Sequence, residues 1–167
     1  MKTRTITSQP QLERREEQPT LGIRVQTPMR GMGKVVGLLM RELDAWMERS
    51  GITALGPPLL RYYVIDMAGE MDIEAAYPTA AGLPGDERVR PGILPAGTYA
   101  ALVYQGSGLT GNRALIEWAR DNAVAWDRWD DPNGDAFRCR YERYLTDPMV
   151  EPRKTRWQVE VAIKVKD

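Results

Sequence analysis

Trp157-Gln158-Val159-Glu160-Val161-Ala162-Ile163-Lys164-Val165 reads with a period of two. Trp157, Val159, Val161, Ile163 and Val165 fall on one face, and Gln158, Glu160, Ala162 and Lys164 on the other. Such alternation in β-branched residues marks a strand with one face in a core. The second face carries one acid beside a small alanine, so the fold turns on what Glu160 faces. A lone strand glutamate is ordinarily solvated. The rest of the chain argues for a different environment.

Upstream, Met71-Asp72-Ile73-Glu74-Ala75-Ala76-Tyr77 alternates in the same way, and Asp72 to Ala76 answers Gln158 to Ala162. The correspondence extends in order along both halves. Leu21, Ile23 and Val25 form an alternating strand, answered by the strand Tyr99 to Tyr104. Val36, Leu39, Met40, Leu43 and Met47 recur at helical spacing between Gly33 and Arg49, with Trp46 beside them. Leu109 to Asn122 is the matching helix, with Gly111, Leu115 and Trp118 on one face. Leu60 to Asp66 is answered by Arg140 to Asp147, which sets Tyr63 opposite Tyr144. Leu12 to Glu16 and the stretch from Glu87 precede the two units as edge segments. An ordered internal repeat outranks any local reading. It predicts an α+β fold of two β-α-β-β repeats about a pseudo-two-fold axis, in which an antiparallel sheet carries both helices on one face and a ligand cavity on the other. Glu74, Ala76, Glu160 and Ala162 then face the cavity, as do Tyr63 and Tyr144 if their strands pair in the register of their spacing. Residues 1–11 read as a flexible lead-in, and 12–165 as a single domain with repeats at about 12–79 and 87–165.

The chain has 167 residues, enough to bury one sizeable core. Its 23 basic residues balance 23 acidic ones, so no overall field attracts nucleic acid or an anionic membrane. With no histidine and the single Cys139, the familiar zinc sites, an internal disulfide and histidine-activated nucleophiles are all unavailable. Catalysis would rest on carboxylates, tyrosine, lysine or backbone groups, and no cofactor or metal is expected. No secretory segment and no apolar run near about 18 residues is visible, so the expectation is a soluble, cytoplasmic protein.

Gly56-Pro57-Pro58 with Arg61-Tyr62-Tyr63, Leu94-Pro95-Ala96-Gly97, Glu142-Arg143-Tyr144-Leu145-Thr146-Asp147-Pro148 and Trp157 to Ile163 occur in that order. Together they resemble the GyrI-like small-molecule-binding domain, which is also the effector-binding domain of AraC- and MerR-type regulators. The resemblance spans about residues 12–165. It implies an apolar, aromatic cavity holding one acid, with Glu160 at the position of that acid and Tyr144 at the matching aromatic. Two stretches depart from the family pattern. Gln105-Gly106-Ser107-Gly108 lacks the family's basic residue and aromatic. Trp126 to Asp135 is a longer, tryptophan-rich link, whose two tryptophans either cap the cavity or, the favoured reading, pin a long loop to the surface.

The resemblance and the repeat imply a ligand-binding set of Glu160, Tyr144, Tyr63, Trp118, Tyr104 and Glu74. A carboxylate among aromatic rings favours lipophilic cations with little demand on shape, the chemistry of multidrug recognition. The expected function is a stand-alone small-molecule-binding protein, monomer or dimer, that captures or senses such compounds without touching nucleic acid or membrane. The alternative is a hydrolase of cyclopropanoid-type toxic natural products, with Glu160 and Tyr144 as catalytic residues. Contact with a regulator or with DNA gyrase is implied by the family name alone.

Overall fold

A computed structural model describes residues 6–167. In chain order the elements are β1 (Gln11–Arg15), β2 (Gln18–Pro28), α1 (Met32–Arg49), β3 (Leu59–Ile65), β4 (Glu70–Pro78), β5 (Arg90–Leu94), β6 (Gly97–Gln105), α2 (Gly108–Asp121), β7 (Arg128–Asp131), β8 (Gly134–Phe137), β9 (Arg140–Tyr144) and β10 (Gln158–Lys164). The strands form one curled antiparallel sheet in the order β1-β6-β10-β9-β3-β4-β2-β5, with the β7–β8 hairpin paired to the end of β3.

The repeats are β2-α1-β3-β4 and β6-α2-β9-β10. Each leading strand crosses to the other half, β1 pairing with β6 and β5 with β2. The strand order therefore reads the same from either end once matching strands are exchanged. The two halves meet where β3 pairs with β9, in a register centred on Leu60 opposite Glu142. The pseudo-two-fold axis passes through that pair.

Local chemistry explains the helices. In α1 the buried residues Met32, Leu39, Met40, Leu43 and Met47 form one stripe over β2 and β4. The helix stops at Ser50-Gly51, where Gly51 takes a positive φ of 66° that a side chain would resist. In α2 the Ser107 hydroxyl caps the first turn by accepting from the Thr110 N–H at 3.3 Å. Gly111, Leu115 and Ala119 form its buried face.

Both helices lie on one face of the sheet. Leu21, Ile23 and Ala75 pack against α1, while Leu102, Tyr104, Val159 and Val161 pack with Leu115 of α2. The opposite face carries a smaller cluster of Leu59, Ala76, Leu94, Tyr99, Ala101, Tyr141 and Ala162. Glu74 and Glu160 lie on the matching strands β4 and β10, as the repeat requires.

Three expectations change. Of the expected loose lead-in, residues 1–5 lie outside the described residues. The next few are held to β6, since Ile6 bridges Tyr104 and the Thr7 N–H donates to the Val103 carbonyl at 2.9 Å. The Trp126–Asp135 link contains the β7–β8 hairpin instead of a plain loop. Its four-residue strands carry little apolar pattern, and the pairing of Val64 with Ala136 and Ile65 with Asp135 supplies what they lack. Finally, β3 matches β9 one residue away from the spacing of the tyrosines, so that Tyr62, not Tyr63, answers Tyr144. A slip of one residue moves a strand side chain to the opposite face.

Candidate functional site

The six residues singled out by the sequence separate onto two faces. Tyr104 and Tyr144 point to the helix side. Glu160, Glu74 and Tyr63 point to the other. Trp118 packs against the α2 core cluster and lines neither of the two larger-walled cavities described below.

On the face away from the helices, Glu160 is already matched with cations. Its Oε1 accepts from Arg15 Nη1 at 3.0 Å and forms an ion pair with Arg143 Nη2, also at 3.0 Å. Arg15 Nη1 also donates to the Tyr141 hydroxyl at 2.7 Å, and Arg15 Nη2 to Glu13 at 2.9 Å. Burial alone would lower the affinity of Arg15 for its proton. The hydrogen bond and charge of Glu160, with Tyr141, outweigh that and raise it above the ordinary arginine value. Glu74 accepts from the Tyr63 hydroxyl at 3.1 Å. Burial raises its pKa above the usual carboxylate value, although Tyr63, Arg61 and Arg24 pull the other way. The Tyr63 ring lies between two guanidinium groups, those of Arg24 at 3.6 Å and Arg61 at 4.4 Å from the ring centre. A cavity of about 430 Å³ opens on this face, lined by Arg15, Tyr99, Tyr141 and Arg143 among others. Of its charged walls, Glu13, Arg15 and Arg143 are paired within the protein.

The helix side holds a larger and more apolar cavity of about 690 Å³. It lies across the pseudo-two-fold axis. Met32 of α1 and Leu109, Asn112 and Ile116 of α2 form its sides. Tyr62, Met71, Tyr104, Glu142, Tyr144 and Val159 come from the sheet, with the exposed Met29 and Met67 and the half-buried Trp157 completing the wall. Tyr144 and Trp157 meet edge to face at 5.9 Å between ring centres. Four methionines beside four aromatic rings make a wall that adapts to different shapes.

Three acids line this cavity, and Glu142 is the one held among its tyrosines. The Tyr62 hydroxyl donates to its Oε1 at 2.6 Å, and the Tyr104 hydroxyl donates to its Oε2. Charge-assisted bonds of this kind are about twice as strong as neutral ones. Glu142 makes no ion pair among the described residues, in contrast to Glu160. The first turn of α2 closes over it. A Cβ on Gly108 would stand 3.2 Å from the Tyr104 hydroxyl and 3.7 Å from Glu142 Oε2. The positive end of that helix therefore lies beside the carboxylate. Burial, and then the Glu142 charge, push the Tyr62, Tyr104 and Tyr144 hydroxyls well above the usual phenol range. These three phenols stay protonated as hydrogen-bond donors.

Glu142 and Tyr62 are the site residues that the sequence reading missed. The signal was present in Tyr141-Glu142-Arg143-Tyr144: with Tyr144 in a pocket, period two puts Glu142 in the same pocket. The arrangement offers a carboxylate, Glu142, that has no ion-pair partner among the described residues, together with three phenols and an adaptable apolar wall. It suits a bulky apolar molecule with a positive centre. Among the described residues no cluster of three or more acidic or cysteine side chains is placed to hold a metal ion, and no helix is long and apolar enough to cross a membrane.

A model of the GyrI-like small molecule binding domain matches residues 8–166. A search of curated proteins finds no match. Among solved structures, the chain is similar to EcmrR in its DNA complex, with a TM-score of 0.72 and 16% identity over 95% of this chain and 57% of that one. The chain thus spans little more than half the length of that relative. It is also similar to a hydrolase from Listeria innocua, with a TM-score of 0.62 and 14% identity over 94% and 91% of the two chains. A third similar structure is SAV2435 bound to tetraphenylphosphonium, with a TM-score of 0.56 and 12% identity over 95% and 94%. At these identities the likeness is one of fold.

Proposed function

Because this chain belongs to the GyrI-like small molecule binding domain family, we propose that it captures lipophilic cations in the helix-side cavity, with Glu142 as the counter-charge. One observation carries the reading: an acid with two tyrosine donors and no cationic partner among the described residues lines the larger and more apolar of the two cavities. A cation over the rings of Tyr62, Tyr104, Tyr144 and Trp157 gains about 0.5–2 kcal/mol per favourable contact. The Glu142 charge adds to that where the ligand excludes water. The unbranched, exposed thioether side chains of Met29 and Met67 ask little of ligand shape. The similar fold of SAV2435 with a lipophilic cation, tetraphenylphosphonium, supports the same ligand class.

The test is calorimetric titration with tetraphenylphosphonium and with neutral triphenylphosphine oxide. Glu142→Gln removes the charge and keeps an oxygen acceptor for one tyrosine hydroxyl, while its amide N–H can donate to the other hydroxyl oxygen. Affinity for the cation should fall about tenfold or more, equivalent to about 1.4 kcal/mol, while the neutral compound changes little. Equal losses for both compounds, or none, would overturn the reading.

A second reading, hydrolysis of a strained electrophile, rests on the same carboxylate with its Tyr62 and Tyr104 donors, a pairing able to handle a proton. The likeness to a hydrolase from Listeria innocua favours it at the level of fold. Mass-resolved incubation with a cyclopropane-bearing electrophile separates the two readings. Product formed by the wild type and absent with Glu142→Gln supports an enzyme, and no product with either leaves a binding protein.

A further inference from the structure

Arg140 stands two residues before Glu142 on the same face of β9, roughly 7 Å along the strand. Both line the helix-side cavity. The two do not pair with each other, and Arg140 makes no ion pair with any described residue. Its Nη2 donates to Asn112 Oδ1 at 2.8 Å, and its guanidinium lies 4.8 Å from the Phe137 ring centre. Asn112 is itself fixed, because its Nδ2 donates to the Gly108 carbonyl at 2.8 Å. The amide therefore clamps the guanidinium to α2 in one orientation. Its remaining N–H groups have no acceptor among the described residues. They are not sealed in, as the unpartnered Nε atoms of Arg61 and Arg143 are. Burial lowers the affinity of Arg140 for its proton, which is the cost of holding a half-buried cation without an anion.

The cavity walls as a whole point the same way. Arg113, Arg120, Arg140 and Lys154 line it against Glu117, Asp135 and Glu142. That slight excess of positive charge does not serve a plain cation. It serves a molecule that carries an anion as well. Arginine's planar fork matches a carboxylate, and a fixed fork loses little freedom on binding.

We infer that Arg140, oriented by Asn112, is a carboxylate subsite, and that the ligand of this cavity is amphoteric, with a lipophilic positive centre at Glu142 and a carboxylate at Arg140. The inference rests on the reading of Glu142 as the cation's partner. A cationic rhodamine methyl ester and the same dye as its free carboxylic acid differ in this one group. By fluorescence anisotropy, the wild type should bind the acid about tenfold more tightly than the ester. Arg140→Met should reverse that preference and, by removing a nearby positive charge, bind tetraphenylphosphonium more tightly than the wild type does. These changes have opposite signs, so a merely unfolded or loosened variant cannot imitate them. Equal wild-type affinity for acid and ester, or weakening of every ligand by Arg140→Met, would overturn the subsite. If Glu142→Gln leaves tetraphenylphosphonium binding unchanged, the reading of Glu142 falls first. If that variant behaves as expected but the acid shows no advantage, only the Arg140 subsite is lost.

Discussion

Replacing Glu160 by glutamine should damage the fold and spare the ligand. Glu160 Oε1 is the shared anionic partner of Arg15 and Arg143, at 3.0 Å from each. The side chains of Glu160 and Arg15 are 11% and 16% exposed, and that of Arg143 is 36% exposed. Glutamine fills the same space but leaves two guanidinium groups facing each other across a neutral amide. Removing one partner of a buried pair costs about 3–5 kcal/mol. Arg15 keeps Glu13 and the Tyr141 hydroxyl, and Arg143 reaches water, so the lower end applies, about 3 kcal/mol. For a chain of this size that corresponds to a fall in Tm of roughly 6–12 °C. Scanning calorimetry at neutral pH measures the shift, and titration with tetraphenylphosphonium on the same preparation measures the ligand. The double variant Arg143→Met, Glu160→Leu should recover much of the loss, because Arg15 keeps Glu13 and the guanidinium left without an anion is removed. An unchanged Tm together with a tenfold loss of cation affinity would refute this reasoning. It would return the ligand's counter-charge to Glu160.

Two further outcomes follow from the site. Burial, assisted at most positions by nearby carboxylates or tyrosines, raises all seven tyrosines above the ordinary value of 10.0, Tyr63 to about 12. Above pH 10 the unfolded chain therefore holds fewer protons than the folded one, and stability falls as pH rises through that range. Phenolate absorbance should stay low in the folded protein and then appear together with the loss of secondary structure; a normal titration near pH 10 with circular dichroism intact would contradict the burial. Gly111→Ala should destabilise the protein even though alanine favours helix, because its Cβ would overlap the Tyr104 ring, which Glu142 holds by its hydroxyl. Overpacking costs about 1–3 kcal/mol, against about 1 kcal/mol gained in helix propensity. A urea midpoint equal to or above that of the wild type would show that the helix and ring have room to move.

Much of the architecture was legible because it is written in short-range periodicity. Val159, Val161 and Ile163 declare a half-buried strand wherever that strand lies, and Leu39, Leu43 and Met47 declare a helix face. The repeat added the pairing of halves, since two copies of one unit bury the same stripe in the same way. The β7–β8 hairpin was not legible. Its strands draw their support from β3, which is distant in sequence, and Asp130, Asp131 and Asp135 mask any alternation.

The site divides along the same line. From the sequence alone came a balanced charge and the absence of histidine, with an aromatic cavity and its acid implied by the resemblance. How each acid is partnered was decided only by the tertiary structure. Glu142 and Glu160 are both strand glutamates flanked by plausible neighbours, and local pattern cannot tell them apart. The difference lies in what crosses to each from elsewhere in the chain. Arg15, carried in by the exchanged strand β1, joins Arg143 of β9 to neutralise Glu160. Tyr62 of β3 and Tyr104 of β6 bring only hydroxyls to Glu142. A carboxylate's availability is a sum over its neighbours in space, and the pairing of distant strands sets that sum.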